Sequence, residues 1–360
     1  MELSDRKIKI LKAIVSSYIH EGEAIGSRTI SKKYDLGISS ATVRNEMSDL
    51  EELGFLIQPH TSAGRVPTDK AYRLYVDKLI RKSSRNKYNE QIKKILQEEI
   101  DEMEKFIRNS ARILSQLTKY TAFAMTPQLK ESKLKRIQLV PITENKLLMV
   151  LVTENNLVKN VILNIKVPVP ADQLNQISNL LTEKLGGIQL KSLDKTLYSQ
   201  ILREIYSIRE NFDEKMDEIF MLLLNTMKQY EKVDLYYDGL TNILNYPEYN
   251  NTEKARELLL FMEDRQAMAS ILMDETGKDL NVSIGNENKY DEIKQCSVVS
   301  ATYKLNGVTI GKIGLIGPTR MDYKNVISMV KALSLNVNRL IDKNYIDIAR
   351  SDTDEQEEKG

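Results

Sequence analysis

An α+β fold in two parts is what the sequence predicts, and three observations predict it. Residues Ile38–Asp77 read as a capped helix, a glycine stop, a short basic hairpin and a second capped helix. Helix, stop and hairpin in that order form the recognition half of a winged helix-turn-helix. Behind this block, β-rich runs occur in two separate places, near 121–167 and 280–316, with a mostly helical stretch between them. Three strands or so on either side would make a thin sheet alone. Two sequential domains are the competing arrangement, and the thinness of each sheet favours one shared domain that carries the helical stretch as an insertion.

Taken in order, the first helix begins near Ser4, a good N-cap with Asp5 in the first turn. Leu11, Ile14, Val15, Tyr18 and Ile19 recur at helical spacing and form one buried face, and Gly22 ends it. Ser27 can cap a short second helix with Ile30 and Tyr34 inward. Asp35-Leu36-Gly37 makes the turn, where Gly37 permits a tight joint. The third helix starts at Ser39 or Ser40, with Val43, Met47 and Leu50 facing in. Its opposite side carries Ala41, Arg44, Asn45 and Ser48, with Thr42 at the margin. Small residues allow close approach to a major groove, and Arg and Asn can make bidentate contacts to guanine and adenine edges. The same face also fits an ordinary solvated helix surface, since Arg and Asn are common there.

The hairpin favours the nucleic-acid reading. Phe55-Leu56-Ile57 is one strand and Arg65-Val66-Pro67 the other, and Pro59 and Pro67 limit it to a short edge ribbon. Hydroxyls, Gly64 and Arg65 at its tip suit phosphate or minor-groove contact. His60 fits an exposed loop better than a catalytic role. Thr68 then caps a helix through Tyr72, Tyr75, Val76, Leu79 and Ile80. The polar, basic run 82–87 reads as a linker, and a long amphipathic helix follows from about Glu90 to Leu117.

Strands are expected at 121–126, 134–142, 146–153 and 157–167, the middle two joined as a hairpin through Thr143-Glu144-Asn145. Helices follow at about 171–185 and 197–230, then a loop punctuated by Asp238-Gly239 and Tyr246-Pro247, then a helix over 252–272. Strands return at 280–284, 297–305 and 308–316, with Asn306-Gly307 as a hairpin signal. Asp322 caps a last helix to about Tyr345, and the acidic tail 351–360 has a disordered composition.

The totals bound function mainly by exclusion. Over 360 residues, 52 basic side chains stand against 51 acidic ones, so overall charge says nothing about nucleic acid and only its distribution can. Basic residues modestly outnumber acids in 1–82. One cysteine, Cys296, rules out an internal disulfide and suits a reducing cytosol, and with His20 and His60 it makes no metal site. No signal peptide or membrane-length apolar run is present, so a cytoplasmic protein is expected. Gly311-Lys-Ile-Gly314-Leu-Ile-Gly317 fits neither phosphate-loop pattern and is better explained by close packing in a strand. Cys296 reads as a small buried residue, and Tyr236-Tyr237-Asp238-Gly239 as a packed loop. No Ser-His-Asp or paired-carboxylate arrangement stands out, so no enzyme and no cofactor is expected.

Three stretches resemble the HrcA family of heat-inducible transcription repressors: S-S-A-T-V-R-N-E-M-S-D-L-E-E-L-G-F-L from Ser39, H-T-S-A-G-R-V-P-T-D-K-A-Y-R-L-Y-V-D from His60, and G-L-I-G-P-T-R-M-D-Y over Gly314–Tyr323. The first two are long and specific, and the third lies far along the chain. The resemblance implies a winged-helix domain (1–82), a linker and long helix (83–118), a GAF-like domain in two segments (119–167 and 252–345), an inserted dimerisation domain (168–251) and a tail (346–360). It implies a dimer on an inverted-repeat operator, the CIRCE element, ahead of chaperone operons. It implies further that the GroE chaperonin keeps the repressor active and that heat relieves repression by occupying the chaperonin. The expected DNA-binding set is Ser39, Ser40, Thr42, Arg44, Asn45 and Ser48, with His60, Thr61 and Arg65 on the hairpin. Arg44 and Asn45 are expected at base edges, and Ser40, Thr42, Thr61 and Arg65 at phosphate or groove. A repressor with a metabolite in the GAF-like domain and a nucleic-acid-modifying enzyme are the competing classes, and the scarcity of histidine opposes the second.

Overall fold

The structure is a computed structural model that describes residues 3–60, 64–82, 88, 92, 103–125, 132–154, 158–166, 168–192, 196, 199, 219, 221, 222, 235–273, 278–305 and 308–339. The chain divides into two compact units. The first comprises Met1–Met125, Leu235–Tyr303 and Lys312–Arg339, and the second Thr126–Asp234, Lys304–Gly311 and Leu340–Gly360.

The first unit begins with the winged helix. Helix α1 (Asp5–Glu21) starts where Ser4 Oγ accepts the amide of Lys7, and it stops at Gly22, whose φ of 72° turns its N–H back to the Tyr18 carbonyl. Ile10, Leu11, Ile14 and Val15 are buried along its inner face. Helix α2 (Ser27–Lys33) follows, with Gly26 rather than Ser27 in the cap position; Ser27 is its first helical residue. Helix α3 (Ser40–Glu52) buries Val43, Met47 and Leu50 against α1 and α2. Each such side chain contributes roughly 1.5–3 kcal/mol on leaving water. Strands β1 (Leu56–Ile57) and β2 (Val66–Pro67) pair antiparallel, and Ile25 adds a third rung by exchanging both backbone hydrogen bonds with Arg65. Helix α4 (Asp69–Lys82) closes the module on Tyr72 and Val76. The Thr68 hydroxyl does not cap it in the expected way: it donates to the carbonyls of Gly54 and Phe55 and so ties α4 to the end of α3.

The same unit contains an amphipathic helix α5 (Met103–Thr118) and strand β3 (Thr121–Met125), which is buried throughout. It has four further strands, β7 (Leu235–Asp238), β8 (Leu280–Ile284), β9 (Cys296–Leu305) and β10 (Val308–Pro318), in the order β7-β3-β10-β9-β8. Pairing of β3 with β7 and β10, and of β8 with β9, is antiparallel. Between β7 and β8 the helical span expected as one piece is two, α7 (Thr252–Glu263) and α8 (Arg265–Met273). Asp264 breaks them apart because its carboxylate accepts the amides of Gln266 and Ala267 and caps α8. The last helix, α9, spans 323–339. Asp322 caps it through Asn325 N, and Ser334 Oγ donates to the Thr302 carbonyl on β9, fixing α9 to the sheet.

The second unit is built on a three-stranded antiparallel sheet of β4 (Leu134–Thr143), β5 (Lys146–Thr153) and β6 (Val158–Asn164), in that order. Helix α6 (Ala171–Leu185) packs against β4, with Leu174, Ile177, Leu181 and Leu185 buried. On edge strand β4, the Ile137 amide donates to Thr182 Oγ1 and the Leu139 amide to Ser178 Oγ, so helix side chains satisfy groups that an edge would leave open.

Two expectations are corrected here. Strands 134–164 do not share a sheet with 280–316, so the inserted piece begins after Met125 rather than at 168 and ends before Leu235 rather than at 251. Residues 235–238, read as loop, form β7: its pairing with β3 lends the short segment an order that its own pattern does not show. The helix expected over 197–230, the linker 83–87, the turn 306–307 and the tail lie outside the described residues, apart from single positions at 199, 219, 221 and 222.

Candidate nucleic-acid interface

The interface is assembled on α3. Ser39 is its N-cap, with φ −69° and ψ 157°, and its Oγ accepts the Thr42 amide at 3.1 Å while lying 3.0 Å from Thr42 Oγ1. Both hydroxyls are thereby committed to starting the helix, with Thr42 only half exposed. One turn on, Arg44, Asn45 and Ser48 stand exposed on a common face with Ala41. Among the described residues no protein group bonds to these three side chains. They are placed as the helical wheel predicts, with Val43, Met47 and Leu50 at right angles or opposite in the core.

The carboxylates of α3 are handled differently. Lys7 of α1 reaches Glu46 at 2.8 Å and Asp49 at 2.7 Å, and Arg6 lies 3.6 Å from Glu46. Those carboxylates hold the Lys7 ammonium above its ordinary pKa, chiefly through the hydrogen bond to Asp49 and then that to Glu46. Glu51 takes Arg65, whose Nε and Nη2 both lie 2.8 Å from Oε2. Three of the α3 carboxylates are thus paired from the flanks, while the exposed Glu52 at the end of the helix and Arg44 are left without an ion pair among the described residues. The C-terminal end of α3 is met by Lys70, which donates to the Leu53 carbonyl at 2.9 Å and sits 4.5 Å from the Phe55 ring centre.

This arrangement changes the reading of Arg65. Sequence placed it at the wing tip as a phosphate contact; the structure uses it as a strut from β2 to α3. Gly64 beside it has a packing reason as well, because a Cβ there would lie 2.4 Å from the Ile25 backbone. His60 is exposed, Ser40 is half buried at the first position of α3, and Thr61 lies outside the described residues.

Two further cations stand on α2, the helix that precedes the recognition helix. Arg28 and Lys32, four residues apart on α2, are both exposed. In a helix-turn-helix the helix before the recognition helix crosses the backbone, so their position on α2 was the signal that could have singled them out. Among the described residues no cluster of three or more His, Cys, Asp and Glu could hold a metal, and no helix is long and apolar enough to cross a membrane. Two glycines of the 311–317 run are closely packed: a Cβ on Gly314 would meet the Val299 carbonyl at 2.2 Å, and one on Gly317 would meet the Tyr120 ring at 2.7 Å.

Comparison with known proteins agrees in both halves of the chain. The family described as "Winged helix-turn-helix transcription repressor, HrcA DNA-binding" matches residues 2–80, and that described as "HrcA protein C terminal domain" matches 104–327. A heat-inducible transcription repressor HrcA of Alkaliphilus metalliredigens is 40% identical over 346 residues, covering 96% of this chain and 100% of its own length. One from Clostridioides difficile is 43% identical over 343 residues, covering 94% and 100%. A crystal structure titled only as that of a hypothetical protein covers 94% of this chain and 99% of its own, with a TM-score of 0.63 and 24% identity, a likeness of fold.

Proposed function

The chain belongs to the HrcA family of heat-inducible transcription repressors, and from that premise we propose that it silences chaperone operons as a homodimer seated on an inverted-repeat operator of the CIRCE type. The GroE chaperonin holds it in the active form, and heat releases the operator by drawing the chaperonin away. One observation carries the DNA-reading part: Arg44, Asn45 and Ser48 form an exposed, unengaged face on a helix whose neighbouring carboxylates Glu46, Asp49 and Glu51 are paired. Arg44 and Asn45 read base edges, and Arg28, Lys32 and Ser40 at the start of α3 meet phosphate, with Ser39 capping that helix. Ser48 and His60 line the groove side.

One copy reads a half-site. An inverted repeat asks for a two-fold pair with recognition helices about 34 Å, or a multiple, apart. The second compact unit is the proposed pairing element. Its sheet face opposite the buried Ile137, Leu139 and Met149 carries Val140 and Ile162, both exposed and both in register with Leu148, and next to them Val158 opposite Val152. Apolar area of this kind on a sheet face fits a self-complementary contact. The five-stranded domain takes the GAF-like role and acts without an effector.

Footprinting of the purified protein on its own upstream DNA, with and without chaperonin, tests the whole reading. A protected inverted repeat, strengthened by chaperonin, is the expected result. Protection without dyad symmetry would remove the dimer, and protection indifferent to chaperonin would remove the GroE step.

A further inference from the structure

The motif G-P-T-R-M-D-Y is not used by the DNA-reading face. The structure places it where the winged helix meets the five-stranded domain. Arg320 directs Nε to Glu248 Oε1 and Nη2 to Glu248 Oε2 at 3.4 Å, and its Nη1 lies 3.5 Å from the Ile19 carbonyl in the last turn of α1. The guanidinium therefore joins a carboxylate of the sheet domain to the negative end of a winged-helix element. Gly22 leaves room for it: a Cβ there would come within 3.3 Å of Arg320 Cζ.

A second clamp lies on α4. Arg73 grips Glu287 with two nitrogens, Nε at 2.7 Å from Oε1, and donates to the Val282 carbonyl at 2.5 Å. Beside it, Asp69 accepts both the backbone and side-chain N–H of Asn286 at 2.9 Å. Between the clamps the rings of Tyr72 and Tyr323 meet with centroids 5.8 Å apart. Forked Arg–carboxylate pairs constrain direction as well as distance. Contacts between domains of one chain ordinarily permit relative motion. One such fork crosses from α4 to Glu287, and Arg320, held by its own fork to Glu248, adds a 3.5 Å contact to the end of α1, so the winged helix is restrained on the sheet domain at two points.

We infer that Arg73 and Arg320 are positioning residues. Arg73 through Glu287, and Arg320, oriented by Glu248, through the Ile19 carbonyl, fix the winged helix on the five-stranded domain, and so set where each recognition helix is carried in an operator-bound pair. This rests on the dimeric operator reading above, and it assigns to the far-off motif the spacing that the reading face itself cannot set.

Charge reversal tests it. The full-length chain is compared with Arg73→Glu, Glu287→Arg and the double variant on three kinds of duplex: the footprinted inverted repeat, the same repeat with its spacer lengthened or shortened by a few base pairs, and a single half-site. Each single variant should lose tenfold or more in affinity for the natural repeat and discriminate less among spacers, while half-site affinity stays within twofold. The double variant should recover both. Spin labels at Glu23→Cys and Glu292→Cys supply a readout free of DNA, since the native Cys296 is buried. The distance distribution should be narrow in the parent, broad in the single variants and narrow again in the double. Natural spacer preference with a narrow distribution in the single variants would overturn the inference. So would equal loss on half-site and repeat, which is the mark of a damaged fold. A parent chain that binds repeat and half-site alike would instead remove the dimeric reading, and the inference with it.

Discussion

Arg44 is where residue chemistry bears most directly on function. It is exposed, without a protein partner among the described residues, and backed by a core that fixes the helix beneath it. Arg44→Ala should cost roughly 1–3 kcal/mol on operator DNA if the contact is a bidentate one to a base. Titration against operator and random duplex separates the roles, because an equal loss on both would make Arg44 a phosphate contact. Gly64 makes a different prediction. The atoms that its Cβ would strike belong to the Ile25 backbone, which cannot swing away. Gly64→Ala should therefore lower stability by about 1–3 kcal/mol, as overpacking does, and loosen the wing, seen as a lower thermal midpoint and faster amide exchange at Ile25. Cys296 carries a pH signature. Burial pushes its thiol from 9.0 up to about 12, against a smaller opposing hydrogen bond with Tyr249. Below pH 9 the thiol is protonated in both states and its contribution is intact. Above that the unfolded chain sheds the proton that the folded chain keeps, so stability falls as pH rises toward 12. Between pH 9 and 10 the parent should lose roughly 1 kcal/mol that Cys296→Ala does not, measured by urea unfolding at the two values. Residue roles were only partly legible in the sequence. The wheel of α3 put Arg44, Asn45 and Ser48 outward, but nothing in spacing shows that Arg65 turns back onto Glu51. That pairing depends on two elements folding together.

Elements were the most legible scale, because caps and periodicity are local. Ser4, Gly22, Ser39 and Gly54 mark ends that the structure keeps. Where order comes from a distant partner, local rules fail, as in β7, whose four residues pair with β3 across an insertion of more than a hundred positions. Ser39 shows how an element-scale role can pass for a contact. Its hydroxyl accepts the Thr42 amide, so removing it frays the first turn of the recognition helix. Ser39→Ala should cost about 0.5–2 kcal/mol of stability. It should weaken binding to operator and random DNA in proportion, because the first turn of α3 presents Ala41, Thr42 and the approach to Arg44. Ser39→Asn keeps the cap and should restore both stability and binding. If asparagine restores stability but not affinity, the Ser39 hydroxyl itself touches DNA and the capping account of its functional effect is wrong.

At the scale of the molecule, the division of strands between two sheets is the feature that composition and periodicity could not reveal. Alternating apolar residues in 134–164 show that a sheet forms but not which strands complete it. The register supplies what periodicity lacks. Met125 ends β3 and Leu235 begins β7, and the two are direct partners in the ladder. Their Cα atoms are therefore about 4.5–5.5 Å apart, as antiparallel partners are. The chain leaves the five-stranded sheet and returns to it at paired positions, so the segment Thr126–Asp234 is inserted in sequence between two partner strands. Replacing that segment by a two-residue Asn-Gly turn should leave β3 and β7 paired and the first unit folded. Circular dichroism and a single cooperative thermal transition would report this. The consequence for function follows from the proposed pairing through Val140, Val158 and Ile162. The shortened chain should sediment as a monomer, bind a half-site as the parent does, and lose the advantage that the parent gains from a second half-site on the same duplex. A single substitution, Ile162→Lys, should do the same without any deletion, since a charge within an apolar sheet contact is costly to bury. If either variant remains a dimer and still prefers the paired repeat, the two-fold axis runs through the first unit, and the exposed face of β4–β6 serves some other partner.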